Sequence, residues 1–335
     1  MIKIGIIGLG HMGNYHASAC KLIPNIKLTA IADPNQENWK KIKSSKIIKT
    51  KNYNDFLDHI DAAIIAVPTN FHYSIAKNCL LKGKHILVEK PLTKNIEQAI
   101  ELFELAEKKK LTLHVGHLER FNGAVQELKK IIQDPYLIES HRLGPFVPRV
   151  QKDTVILDLM IHDLDIILNM INSKVKKLNV IGNKIKTNLT DIANVQIEFE
   201  NSVIANLISS RASQSKQRTM SIHQKNSFIK LDFTTQDISI HRHTSASVKI
   251  GNKQLKYKQE GIIERLFVYK DNPLKLEIEN FIHAINSGKK MTNSKSDITA
   301  LKIALKLEQL VEENSYDLYN CGNRHSAASS MQKPT

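Results

Sequence analysis

The hexapeptide Gly8-Leu9-Gly10-His11-Met12-Gly13 separates a continuous β-rich apolar run, residues 2–8 (IKIGIIG), from a helical pattern that starts at His11 and reaches about Leu22. A buried strand feeding a helix through a glycine-rich turn leaves few folds open. A lone GxGxxG is a weak signal. Here it sits inside a βαβ unit whose second strand ends in Asp33, twenty residues past the last glycine. That is the context a dinucleotide-binding turn requires. Gly8, Gly10 and Gly13 permit a tight turn and the approach of a pyrophosphate to the helix N-terminus, with His11 and Met12 in the same turn. The free amides and the helix dipole favour an anion there. Asp33 can accept hydrogen bonds from an adenosine ribose diol and repels a 2′-phosphate, so the expected cofactor is NAD rather than NADP.

The alternation continues. IKLTAIAD reads as strand, NQENWKKIKS as helix, DAAIIAVPT as strand, HYSIAKNCLLKG as helix, HILVEKP as strand, NIEQAIELFELAEKKK as helix and LTLHVGH as strand. Strands alternating with helices predict a doubly wound parallel sheet over residues 1–118. The pattern then changes. RFNGAVQELKKII is helical and YLIESHRLGPFVPRV extended, and from about residue 175 the apolar period becomes two, with turn signals at FENS and QKNS. This predicts a second α/β domain, residues 119–315, built on a large, open, mostly antiparallel sheet. LKLEIENFIHAINSG and SDITALKIALKLEQLVEEN close it as amphipathic helices, the second with Ser296 as N-cap. Residues 316–335 are polar and read as a C-terminal tail, mobile at its end.

The stretch TVILDLMIHDLDIILNMI, residues 154–171, is apolar enough for a core helix yet carries Asp158, His162, Asp163 and Asp165. Unpaired buried charge costs several kcal/mol, so these groups must be paired, neutral, or facing a cavity. At about 100° per residue, Asp158, His162 and Asp165 share one face. Asp158 and His162, four apart, are placed to pair or to converge on a third group, which is acid/base geometry. Asp163 points among Ile156, Met160 and Ile167 and reads as a buried group bonded to backbone. The alternative is an amphipathic core helix with a solvated polar edge.

Val88-Glu89-Lys90-Pro91-Leu92 ends a predicted strand, where open α/β sheets bind ligands. Lys90 there can stabilise negative charge developing on a hydroxyl, or else form a surface ion pair with Glu89. In Gly116-His117-Leu118-Glu119-Arg120-Phe121-Asn122, His117 is a candidate for the nicotinamide pocket and Arg120 for a carboxylate or phosphate. An interdomain hinge with a satisfied histidine fits equally well. Arg142 and Arg149, flanking Pro148, add cations near the same cleft, with solvated loop charges as the bland reading. DxxxHDxD lacks a second histidine-rich cluster, so no metal is expected. The absence of GxSxG argues against a Ser/His/Asp hydrolase.

Bulk composition narrows the classes. The chain has 335 residues, 41% hydrophobic and 24% charged, which suits a two-domain globular enzyme. No stretch of about 18 residues is free of charge, and no signal-peptide pattern precedes the first strand, so neither a membrane span nor secretion is expected and a cytoplasmic location is. Cys20, Cys79 and Cys321 are an odd set without CxxC spacing and read as reduced thiols. The net charge of +15 admits nucleic acid, a membrane surface or an anionic small substrate. The lysines are dispersed and carry no interleaved aromatics, so no nucleic-acid track is expected.

GLGHMG, Asp33, PTNFH, GKHILVEKPL and DLMIHDLD, in this order, resemble the glucose-fructose oxidoreductase, inositol dehydrogenase and rhizopine catabolism (Gfo/Idh/MocA) family over most of the chain. The resemblance implies a Rossmann domain followed by an α/β domain whose open sheet mediates dimers or tetramers. It makes Lys90, Asp158 and His162 the catalytic set, with Pro68, Thr69, His72 and Glu89 near the cofactor. VGHLERFN and RLGPFVPR look most like the members that oxidise C3 of UDP-N-acetylglucosamine ahead of 3-amino-sugar formation for lipid A. Asp153-Thr154-Val155 stands where many relatives carry glycine. The expected substrate is thus a UDP-sugar, with a free polyol such as inositol as the alternative. A non-catalytic NAD-sensing regulator would keep the glycine turn but need neither Lys90, Asp158 nor His162.

Overall fold

The computed structural model describes residues 1–147, 153–244, 247–250, 253–256, 260–288 and 294–328. Strands β1 (Ile2–Ile7), β2 (Ile26–Ala32), β3 (Ile48–Thr50), β4 (Ala62–Ile65), β5 (His85–Glu89) and β6 (Leu113–Gly116) form one parallel sheet in the order β3-β2-β1-β4-β5-β6. Helices α1 (His11–Cys20), α2 (His72–Leu81) and α3 (Ile96–Lys108) cover it. Ile4, Ile6, Ile64 and Ile65 are fully buried, as strands covered on both faces must be. The order reverses between β1 and β4, which opens a crevice beyond their carboxyl ends. Within the lysine-rich stretch read as one helix, Gln36–Lys41 is a short 3-10 turn capped by Asn35, and β3 follows it.

Helix α4 (Gly123–Ile131) leads to β7 (Pro135–Leu143). A π turn, Ile156–Met160, then runs into α5 (Ile161–Met170). There follow β8 (Val175–Asn183), β9 (Ile192–Phe199), β10 (Ile204–Ser210), β11 (Gln217–Gln224), β12 (Ser227–Asp232), β13 (Asp237–Thr244), the small β14 (Ser247–Ile250) and β15 (Lys253–Lys256) pair, and β16 (Glu260–Arg265). The second sheet has the order β16-β13-β12-β11-β7-β10-β9-β8, antiparallel except where β7 meets β10. The extended segment before the π turn is therefore a central strand. The π turn and α5 pack on one face through Ile156, Met160, Ile161, Leu164 and Ile167, against Ile138, Ala205, Leu207 and Ile222.

Two closing helices complete the chain, α6 (Pro273–Ser287) and α7 (Ser294–Ala328). Leu274, Ile278, Phe281 and Ile282 of α6 join the core of the first sheet beside Ile4, Ile6 and Ala17. Helix α7 runs on to Ala328, so the segment expected to leave the fold as a tail at 316 continues a helix. Ser296 lies inside α7, where its hydroxyl donates to Asn169 Oδ1 at 2.6 Å, and so is not the N-cap. No helix among the described residues is long and apolar enough to cross a membrane. Cys20 and Cys79 are buried free thiols, each pushed up to about 12 by burial.

Candidate active site

A cleft of about 1730 Å³ lies between the two sheets, bordered by the glycine turn, the ends of β2, β4 and β5, the π turn, and the β10–β11 region. At the glycine turn, Gly8 has φ +89°, and a Cβ there would sit 2.7 Å from the Ala66 carbonyl oxygen. A Cβ on Gly13 would lie 1.9 Å from Gly8 O, so only glycine lets α1 pack this tightly on β1. Nothing lies within 4 Å of a Cβ at Gly10, which faces the open cleft. The first and third glycines thus hold the turn, and the second leaves room for a pyrophosphate at the α1 N-terminus, a fit for a dinucleotide. His11 and Met12 border the same space. Asp33 is buried, and its Oδ2 accepts from Leu9 N at 2.6 Å while Oδ1 accepts from Asn35 N at 2.8 Å. Each carboxylate oxygen retains a further lone pair for a ribose hydroxyl.

At the end of β5, Lys90 Nζ donates to the Asp158 carbonyl oxygen at 2.5 Å and to Asp158 Oδ1 at 2.9 Å. Burial raises the Asp158 carboxyl, but the Lys90 charge and hydrogen bond outweigh it and hold the group below its ordinary range. Asp158 is set into the cleft by the π turn, in which the Ile161 amide reaches back five residues to Ile156 O. One turn on, His162 also borders the cleft, half-buried, with Nδ1 sealed in and lacking a hydrogen-bond partner. Burial, then the Lys90 and Arg142 charges, push His162 well below 6.5, so the ring is neutral at pH 7.

Behind Lys90 lies a second layer. Glu89 Oε1 meets His16 Nε2 at 2.8 Å, a contact that overrides the effect of burial and keeps Glu89 ionised. Deeper still, His114 Nε2 stands 3.4 Å from Glu277 Oε1 of α6, both buried. Desolvation lowers His114 to about 4 and raises Glu277 to about 8, so both are neutral at pH 7. His72 borders the cleft, but its two ring nitrogens face the Pro91 and Val67 carbonyl oxygens at 2.8 and 2.9 Å, bracing the ends of β4 and β5. Pro68 and Thr69 line the cleft wall, and Thr69 Oγ1 donates to Asp153 Oδ2 at 3.0 Å.

Several expectations are corrected. Asp165 does not join Asp158 and His162 at the cleft, because it takes the Arg120 guanidinium in two hydrogen bonds of 2.7 and 2.5 Å. Arg120 also donates to Asp297 Oδ1 at 2.5 Å, so its charge is balanced by two acids of the same chain, and it does not border the cleft. His117 is buried between these acids, 3.9 Å from Asp165 Oδ2 and 3.9 Å from Asp297 Oδ1, away from the cleft wall. Together His117, Asp165 and Asp297 resemble a metal-ligand cluster, but the Arg120 cation already occupies it. Asp163 bonds to a side chain rather than to backbone: Arg142 binds both of its oxygens at 2.7–3.1 Å and adds Glu119 Oε1 at 2.9 Å. Arg142 borders the cleft but is likewise committed. Arg149 and Pro148 lie outside the described residues.

Sequence reasoning missed cleft residues that arrive from distant segments. Lys216 and Arg218 near the start of β11 are such residues, while Glu119 lies in the stretch already singled out but was passed over. The signal for Arg218 is register alone: it pairs directly with Arg142 across β7 and β11, so both side chains leave the same sheet face.

A glycine-rich strand–helix turn, an acidic residue ending β2, and a lysine, aspartate and histidine set across one cleft define an oxidoreductase that works with a bound dinucleotide. The oxidoreductase family with NAD-binding Rossmann fold (GFO/IDH/MocA) matches residues 2–117, and the GFO/IDH/MocA C-terminal domain matches residues 125–229. The chain belongs to this family, and its cofactor is NAD. It is 30% identical to UDP-N-acetylglucosamine 3-dehydrogenase of Acidithiobacillus ferrooxidans, over 85% of this chain and 88% of that protein. A solved structure of an A. ferrooxidans UDP-N-acetylglucosamine 3-dehydrogenase superimposes with a TM-score of 0.83 at 28% identity, covering 93% of this chain and 98% of that one. Myo-inositol 2-dehydrogenase of Thermotoga maritima is 26% identical over 63% of this chain and 69% of its own length.

Proposed function

We propose that this dehydrogenase oxidises a secondary hydroxyl of a UDP-linked amino sugar, C3 of UDP-N-acetylglucosamine, to the ketone. The observation that carries the reading is the meeting of Lys90, Asp158 and His162 at one cleft beyond the carboxyl end of β5. Bound NAD supplies the acceptor for the carbon-bound hydrogen. His162, neutral at pH 7, takes the hydroxyl proton at Nε2, since Nδ1 is sealed in the protein. Lys90 stabilises the alkoxide as it forms, through the ammonium that Asp158 orients. Gly8, Gly10, Gly13 and Asp33 hold the dinucleotide. The same Lys90 and His162 serve any secondary alcohol, so the sugar follows from the rest of the cleft. Its 1730 Å³ exceeds the roughly 300–1,000 Å³ of an ordinary small-molecule pocket and suits a dinucleotide plus a sugar nucleotide. The relative that aligns along most of this chain acts, by its name, on that substrate.

A free polyol is the second reading, favoured by the inositol dehydrogenase relative. We expect self-association through the open face of the eight-stranded sheet. NADH formation at 340 nm with UDP-N-acetylglucosamine and a ketone trap, beside inositol and NADP controls, tests the assignment. A signal with inositol alone would transfer it to the polyol.

A further inference from the structure

Among the described residues, the cleft cations that are not exposed separate into those that hold an acid of the chain and Arg218, which does not. Lys90 holds Asp158, Arg142 holds Asp163 and Glu119, and Arg211 holds Asp191 at 2.6 Å. Arg218 is half-buried in the cleft wall and has no ion-paired or hydrogen-bonded acid among the described residues. The acids whose charges reach it, Glu119, Asp163 and Asp158, all already accept from other groups, Asp158 Oδ1 from Lys90. Both Asp163 oxygens and Glu119 Oε1 accept from Arg142, and Glu119 Oε2 accepts from Asn122 at 3.1 Å. The directly opposed residue across the strand pair is Arg142, another cation. Like charges facing each other across an antiparallel pair destabilise a sheet. Desolvation and Arg142 lower the affinity of the Arg218 guanidinium for its proton and outweigh the opposing charges of Glu119, Asp163 and Asp158. Asp158 and His162 both feel the Arg218 charge, so it stands within electrostatic reach of the reacting groups. Lys216, exposed two residues earlier, borders the same part of the cleft.

We propose that Arg218, assisted by Lys216, is the substrate's anion anchor, a subsite for phosphate oxygens set beside Lys90 and His162. The inference rests on the reading that the substrate carries a phosphate group, and it deepens that reading. A half-desolvated guanidinium opposed by a second one is a cost in the free protein that a bound phosphate removes. The planar fork of arginine suits two phosphate oxygens at once. The anchor also separates substrates: a sugar nucleotide satisfies it, whereas a neutral polyol leaves it unpaired.

The test uses the NAD-saturated enzyme, so that the glycine turn is already filled. Titration calorimetry with inorganic pyrophosphate and with UDP-N-acetylglucosamine compares wild type, Arg218→Gln, Arg218→Lys and Lys216→Ala. Arg218→Gln is expected to weaken both ligands at least tenfold, with Arg218→Lys and Lys216→Ala intermediate. It should raise KM far more than it lowers kcat and leave NAD affinity unchanged. Its melting temperature without ligand should stay level or rise, because a repulsion is removed; a fall would mark a structural ion pair and overturn the proposal. Unchanged affinity for both ligands in Arg218→Gln also overturns it, as does failure of wild type to bind either one. Arg218-dependent binding of pyrophosphate with no affinity for the UDP-sugar would uphold the anchor while sinking the UDP-sugar assignment. Should Arg218→Gln not fold, the Arg218→Lys and Lys216→Ala affinities decide by the same criteria.

Discussion

The π turn and the α5 helix carry two ionic clusters of similar composition with opposite fates. Lys90, Asp158 and His162 meet where the wall opens into a cleft. Arg120, Asp165, Asp297 and His117 meet where it is sealed. In the sealed cluster two carboxylates hold the guanidinium, which joins the loop after β6 to α5 and α7. In the open cluster one lysine holds one aspartate, and a neutral imidazole has a sealed nitrogen on one side and the cleft on the other. Residue type does not separate function from scaffold here; unspent bonding capacity next to a cavity does.

Removal of Lys90 should break the comparison most visibly. Lys90→Ala is expected to lower kcat by about 10²–10⁴-fold, the usual worth of charge stabilisation and proton transfer at the reacting atom. Steady-state kinetics with thermal melting checks this, and a large melting shift with little kinetic loss would place Lys90 in the scaffold. In the sealed cluster the effects should invert. Asp165→Ala leaves the half-buried Arg120 guanidinium with Asp297 alone and should cost about 3 kcal/mol of stability, while turnover per folded molecule stays near wild type. Denaturant unfolding with active-site titration would reveal the opposite outcome.

The Glu277–His114 pair sharpens the picture by pH. Glu277 keeps its proton up to about 8 when folded, whereas in the unfolded chain it ionises near 4.5. The folded state therefore binds more protons across that window, and stability is lost as pH rises through it, by at most about 1.4 kcal/mol per pH unit. Glu277→Gln should remove the decline, so the variant gains on wild type between pH 5 and pH 8 in melting scans. Parallel curves would mean that Glu277 is ionised when folded. His162 gives the smallest effect. Its pKa lies well below 6.5, so the neutral base persists in mild acid and kcat/KM should stay flat as pH falls through 6.5. Halving of the rate at that pH would show that an ordinary histidine sets the profile.

Much of this was legible along the chain. The glycine turn with Asp33, the βαβ alternation and the period-two strands each follow from local pattern, and all appear. Lys90, Asp158 and His162 were legible as a spacing on either side of a predicted cleft. The fates of Arg120, Arg142 and Asp163 were not, because each was settled by a partner 21 to 177 residues away. A basic residue advertises affinity for an anion, but its sequence neighbours do not tell whether the anion is a substrate or a carboxylate of the same chain. Arg218 escaped notice for the converse reason: its isolation is a property of strand register. The π turn was also invisible, since hydrophobic spacing does not distinguish one wide turn from a regular one.

Helix α6 carries a consequence for how the molecule is made. Leu274, Ile278, Phe281 and Ile282 complete the apolar packing around β1 and α1. A ribosome that has just finished the first parallel sheet has therefore not finished its core. At roughly 5–20 residues per second, the missing helix follows on the order of ten to thirty seconds later. Throughout that interval Ile4, Ile6 and Ala17 belong to a surface still open on one side. The first sheet therefore reaches its full packing only after α6, more than 150 residues further along the chain, has been made.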